Sequence, residues 1–193
     1  MDKDTILGFI VIIALICGGI WACKACNSSS EERELAPDDT GNWKVQEFTD
    51  NFGAGTGKRF ITQRFSGRFS IPGAEGTAYI EFLITGSDTI AFELYRYGYS
   101  NSDKVGHNYF EGAIEDAEGN RFPISASITS VNLLRNTFDK TSSNNIHNAL
   151  LKGKVKIRFS AEGMAGRMNN EYTFDLSDWG ARGYSNAFRK LTQ

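Results

Sequence analysis

Two patterns of hydrophobic and polar positions divide this chain of 193 residues. From Thr5 to Cys23, TILGFIVIIALICGGIWAC, nineteen residues pass without a charge, bounded by Asp4 and Lys24. A helix rises about 1.5 Å per residue, so the run just spans the roughly 30 Å hydrocarbon core of a bilayer. From Trp43 onward the apolar positions instead recur every second residue, the period of a strand with one buried face.

In 58–70, Ile61, Phe65 and Phe69 fall on one side and Thr62, Arg64, Ser66, Arg68 and Ser70 on the other. Ala78, Ile80, Phe82 and Ile84 repeat the alternation. Thr85-Gly86-Ser87-Asp88 then turns the chain, and Ile90, Phe92 and Leu94 complete a hairpin. A second pair, 109–116 and 121–130, forms around Ala117-Glu118-Gly119-Asn120, with Phe122, Ile124, Ala126 and Ile128 pointing inward. Pro123 cannot donate to a ladder, which predicts that its strand lies at an edge or starts there.

Two helices interrupt the strands. Ser142 or Ser143 caps a segment through Ile146, Ala149 and Leu150 that Gly153 ends. Val155, Ile157 and Phe159 mark one further strand, and Tyr172, Phe174 and Leu176 another, with the glycine-rich 162–170 between them as a loop. Tyr184, Ala187, Phe188 and Leu191 share one face of a terminal helix. The expected fold is mainly β (α+β): an antiparallel sandwich or partly closed barrel, capped by one mid-chain and one C-terminal helix, behind a single transmembrane helix.

Composition sharpens this division. Residues 1–26 read as a membrane anchor, 27–42 as a flexible acidic, serine-rich tether, and 43–193 as one β-rich domain. The formal charge of −2 hides a split: 27–42 hold five acidic residues and one basic, while 43–193 hold 18 basic and 16 acidic. A domain at +2 is close to neutral, whereas nucleic-acid binding normally needs a concentrated basic surface, so nucleic acid is not an expected partner. All three cysteines, Cys17, Cys23 and Cys26, lie in or beside the anchor. The domain therefore has neither a disulfide nor a thiol nucleophile.

Three processing schemes are open for the anchor. A cleaved signal would have to use Cys23-Lys24-Ala25, with lysine at its centre. A lipoprotein would acylate a cysteine after Ile20-Trp21-Ala22, where Trp21 occupies a small residue's place. An uncleaved single-pass helix gives Trp21 an interfacial position and lets Lys24 snorkel to the headgroups. The last is the expectation adopted, with Cys23 and Cys26 as candidates for lipid attachment or for an intermolecular disulfide between neighbouring helices. Lys3 and the amino terminus nearly balance Lys24 and Arg33, and a short tail before the first hydrophobic helix favours an extracytoplasmic domain.

Motifs of specific chemistry fail on inspection. Gly53-Ala54-Gly55-Thr56-Gly57-Lys58 suggests a phosphate loop, but Phe52 stands where its first glycine belongs, Arg59 follows the lysine, and a strand comes next. It reads as a turn between strands. Gly183-Tyr184-Ser185-Asn186-Ala187 resembles a nucleophile elbow, yet no acid or histidine follows, and Ser185 is expected on the exposed side of the last helix. His107 and His147 lack metal-ligand spacing, and Asp116-Ala117-Glu118-Gly119-Asn120 lacks the alternating ligands of a calcium loop. No metal or cofactor is expected. A carboxylate pair for glycoside cleavage is not singled out.

Two stretches stand out as binding surfaces. Arg64 and Arg68, after Lys58, project from one strand face as a cationic stripe suited to phosphates, acidic sugars or an acidic protein. Tyr95-Arg96-Tyr97-Gly98-Tyr99 gathers three tyrosines and an arginine at a strand end, residue types enriched at recognition sites.

Asp50-Asn51-Phe52-Gly53, Thr56-Gly57-Lys58, Phe60-Ile61-Thr62 and Gly67-Arg68-Phe69-Ser70 resemble the opening of a group of uncharacterised bacterial envelope proteins, small β domains behind an N-terminal signal or lipid anchor. The closing Tyr172-x-Phe174 strand and the helix with Gly183, Tyr184, Ala187 and Leu191 are similar too. The resemblance implies bacterial export and carries no activity. The functional expectation is a membrane-tethered extracytoplasmic module that binds an envelope protein or a surface glycan. Its alternatives are a structural subunit of a membrane assembly and a hydrolase of envelope polymers.

Overall fold

A computed structural model describes residues 36, 38–99, 101–105, 107–130, 134–162, 168–176 and 181–193, with the backbone alone at 98, 99, 101–103, 168 and 169. The expected anchor at 5–23, Cys23 and Cys26 lie outside the described residues. Among the described residues no helix is long and apolar enough to cross a membrane. Leu35–Gln193 form one compact unit.

Alternating apolar residues become ten strands: β1 (Lys44–Thr49), β2 (Gly55–Ile71), β3 (Ala74–Gly86), β4 (Thr89–Tyr99), β5 (Asn101–Val105), β6 (Tyr109–Glu115), β7 (Arg121–Ser130), β8 (Arg135–Phe138), β9 (Val155–Glu162) and β10 (Met168–Leu176). Eight of them close into an antiparallel barrel in the order β2-β10-β9-β6-β7-β8-β4-β3, and β3 pairs back onto β2. Of the two architectures expected from the pattern, the barrel is the one formed, and its closure is complete. β1 lies along the first half of β2, and β5 continues on β4 beyond the end of β8.

The inward positions carry the core. Phe92 packs on Phe138 (4.7 Å between ring centroids), Phe110 (5.3 Å) and Phe159 (5.7 Å). Each fully buried phenylalanine contributes about 1.5–3 kcal/mol through removal from water. The wall can coil tightly only where a side chain is missing: a Cβ on Gly112 would lie 2.1 Å from the Arg158 carbonyl oxygen, and one on Gly67 would lie 2.2 Å from that of Thr173.

Helix α1 (Lys140–Leu151) crosses one end of the barrel. Its start is tied to the β3–β4 turn by Lys140 and Asp88 (3.3 Å), and its end to the β6–β7 turn by Lys152 and Asp116 (2.8 Å). The cap is Asp139, not Ser142 or Ser143: the Asp139 carboxylate accepts the Ser142 N–H at 2.7 Å. The two serines sit inside the first turn because their hydroxyls accept backbone N–H groups of the wall, from Ser125 (2.8 Å) and Ile90 (3.3 Å). Helix α2 (Tyr184–Thr192) buries Tyr184 and Ala187 and leaves Ser185 exposed, as its apolar face predicts.

Two further expectations change. Pro123 is flanked by β6 but lies before the stretch of β7 that β8 covers, so only its local edge is open, within a strand that is internal elsewhere. The expected loop at 162–170 is shorter, because backbone pairing of Met168 with Glu162 and of Asn170 with Ala161 extends both strands into it.

Candidate functional site

Even-numbered residues of β2 and odd-numbered residues of β3 and β4 face outward, and antiparallel register aligns them in rows. One row runs Arg64, Glu81, Glu93, Arg135, the next Ser66, Tyr79, Tyr95, Lys104, and the third Arg158, Thr173, Arg68, Thr77, Tyr97. The closed wall therefore brings Arg64, Arg68, Tyr95 and Tyr97 onto one outer face.

The first two rows satisfy each other. Arg64 pairs with Glu81 at 2.6 Å and stands over the Tyr95 ring at 4.5 Å, which takes it out of the expected free cationic stripe. Glu93, its side chain 12% exposed, is held by Lys104 (2.8 Å), Arg135 (2.9 Å) and the Tyr95 hydroxyl, which donates at 2.8 Å. Burial alone would raise the Glu93 carboxyl, but these donors outweigh it and hold it below the ordinary range. Burial, with Glu93 beside it, pushes the Tyr95 phenol up to about 12.

The third row is different. Arg68 is exposed and forms no ion pair among the described residues. Tyr97 is 41% exposed and packs edge-on against Tyr79 at 4.9 Å. Beside this row lies a groove of about 440 Å³ lined by Arg68, Ser70, Glu75, Thr77, Glu171 and Thr173. It offers a guanidinium, hydroxyls and two exposed carboxylates, with a half-open aromatic ring next to it.

Arg96 does not join the tyrosines that flank it in sequence. As an even-numbered residue of β4 it lies on the inner face with Phe92 and Leu94, its guanidinium 5.6 Å from the Phe69 ring. Tyr99 ends β4 opposite Asn101, and its side chain is outside the described set.

The end of the barrel away from α1 holds a polar pair inside the wall. His107 Nδ1 donates to the Glu162 carbonyl at 2.9 Å, since that oxygen only accepts. Its Nε2 therefore accepts the Tyr172 hydroxyl at 3.0 Å. Burial, helped by Arg96, lowers the His107 pKa, and burial pushes Tyr172 up to about 12. At the other end His147 Nδ1 and the Tyr184 hydroxyl share a hydrogen bond of 2.8 Å, and the imidazole stacks at 4.4 Å on Phe188. Each histidine thus serves a buried tyrosine. Among the described residues no three metal-ligating side chains come together.

The sequence reading missed these pairs and one more feature. Gln63, Phe82, Phe92 and Asn136 form a single inward row. Asn136 is wholly buried, and neither of its amide atoms has a partner among the described residues. Tyr172 was the available signal: a tyrosine at an inward position must place its hydroxyl somewhere, and histidines are scarce. No family model, curated protein or solved structure matches the chain.

Proposed function

We propose that the chain is a membrane-tethered, extracytoplasmic binding module whose third outer row receives a surface glycan. The supporting observation is the contrast between rows. Arg64, Glu81, Glu93, Lys104 and Arg135 are engaged with one another in ion pairs, whereas Arg68 and Tyr97 remain available beside a hydroxyl- and carboxylate-lined groove. Strands about 4.8 Å apart make the Thr173–Tyr97 row roughly 14 Å long, enough for two or three sugar rings. A guanidinium recognises a carboxylate bidentately, so an acidic sugar suits Arg68. The run at 5–23 supplies the tether, and the resemblance to envelope proteins supports export.

Hydrolysis fits less well. Glu75 and Glu171 line the same groove, but both are exposed and Glu171 is paired with Arg158 at 3.1 Å. A general acid needs a carboxyl raised by burial. An envelope protein is the second reading, favoured by the Tyr79, Tyr95, Arg64 raft adjoining the row.

The full-length protein in detergent, applied to an array of bacterial surface glycans, tests the assignment. Acidic glycans are expected to bind, with losses on the order of ten-fold for Arg68→Glu and for Tyr97→Ala. Absence of glycan binding, or equal binding by both variants, sinks it. Capture of an envelope protein that Tyr97→Ala abolishes would select the second reading instead.

A further inference from the structure

One part of the fold takes no part in closing the barrel. β3 pairs with β2 only from Ile61 to Ile71, so Gly55 through Phe60 run past the wall with β1 as their partner. Two strands alone are marginal in water, and this ribbon is fastened at several points. Asp50 Oδ1 accepts the N–H groups of Phe52 (2.9 Å) and Ala54 (2.8 Å). Glu47 Oε1 accepts that of Gly57 at 2.5 Å, and Phe48 packs on Phe60 at 4.6 Å. All this ordering leaves Phe52, at the tip, 97% exposed, whereas the next most exposed large hydrophobic side chain among the described residues, Leu151, is 47% exposed. Nothing in the domain is stabilised by holding that ring in water.

Two contacts place the ribbon beside the chain's entry into the domain. The Lys190 ammonium donates to the Asp38 carbonyl at 2.6 Å, while the Lys190 carbonyl accepts from the Arg59 guanidinium at 3.5 Å. Asn186 holds the same entry through the carbonyls of Ala36 (3.2 Å) and Asp39 (2.8 Å). Eight residues, 27–34, separate Cys26 from the compact unit, and even fully extended they reach only about 29 Å. The ribbon itself runs about 20 Å from Lys44 to its turn. Lys44, Lys58, Arg59 and Lys190 lie along it or at its base. Of the acids nearby, Asp50 and Glu47 already hold backbone N–H groups, while Asp38 and Asp39 belong to the entry segment.

We infer that the ribbon is a membrane-contacting arm, with Phe52 entering the headgroup region of the bilayer that holds residues 5–23 and its lysines and arginine meeting anionic headgroups. This rests on the tether reading above. A single ring and a few cations give a free protein little membrane affinity. A short leader raises the local concentration of the arm at the surface, so a weak contact suffices to fix how the domain stands.

Phe52→Trp in the full-length protein provides the probe, reconstituted into vesicles of phosphatidylethanolamine and phosphatidylglycerol. The parent protein measures the background from Trp21, Trp43 and Trp179. The added emission is expected to shift to the blue and to lose about half its intensity when bromine is placed on the upper acyl chain, the depth of an interfacial side chain. Protein that fails to float with the vesicles defeats the tether and the arm together. Protein that floats with a water-like, unquenched emission overturns the arm alone, as does an emission shielded from water yet insensitive to bromine, which would place the ring against protein.

Discussion

The Tyr172 hydroxyl donates to Nε2 of His107 across 3.0 Å inside the barrel wall, and at the opposite end the Tyr184 hydroxyl and His147 Nδ1 share a hydrogen bond of 2.8 Å. Burial lowers the pKa of both histidines below the ordinary 6.5. The unfolded chain therefore takes up protons that the folded chain refuses. Their contribution to stability is complete above about pH 6.5 and is lost as the pH falls through the depressed folded values. Thermal unfolding should shift to lower temperature between about pH 7 and pH 5.5, a window above that of the paired carboxylates Glu93 and Asp116. His107→Gln should reduce the shift, and a midpoint that is flat or rises on acidification contradicts the assignment.

Asn136 should be better replaced than kept. Its amide is buried without a partner among the described residues, in a row with Phe92. Such a group costs about 1–3 kcal/mol. Asn136→Leu, which keeps the branched outline of the side chain with bulkier methyl ends, is expected to stabilise the domain by up to that amount. A lower denaturation midpoint for this variant would show that the amide is satisfied in solution.

Gly112→Ala is expected to destabilise by about 1–3 kcal/mol or more, through overpacking of backbone against backbone. The added methyl would meet the Arg158 carbonyl oxygen at 2.1 Å, and β6 and β9 would have to separate. Hydrogen exchange should quicken first along β6 and β9, and exchange rates like the parent's would contradict the close approach.

Glu93→Gln tests the outer cluster. Removing the charge leaves Lys104 and Arg135 without their carboxylate, at a cost of about 1–3 kcal/mol. The Tyr95 phenol, now at about 12, should fall toward its ordinary value, because Glu93 is one of the two main causes of the rise. Alkaline difference absorbance against a Tyr95→Phe control reads this, and an unmoved ionisation rules the coupling out.

The inward residues were legible because burial imposes a period of two: Ile80, Phe82, Ile84, Ile90, Phe92 and Leu94 all face the core as their alternation predicts. Both helices were legible for the same reason at the other period. β1, β5 and β8 were not, since four to six residues with few apolar side chains give no period, and their ladders are made by the backbone. The pairing of β2 with β10 is invisible in a linear pattern, yet it sets Arg68 beside Thr173 and so builds the groove. Arg96 shows the same limit: its neighbours in sequence suggested a shared surface, and the two-residue repeat turned it inward. His107 and Tyr172 meet only because β9 and β10 bring position 162 and position 172 to the same rim.

That same seam governs assembly of the domain. Phe69 is matched to Tyr172 and Gly67 to Phe174, so the wall joins residues from the second strand to residues from the last. A growing chain can zip its local hairpins early, but it holds an unsealed sheet with two raw borders until nearly all of it has emerged. Delivery of the polypeptide through a narrow pore, strand by strand and in an extended form, would meet no completed barrel to block it.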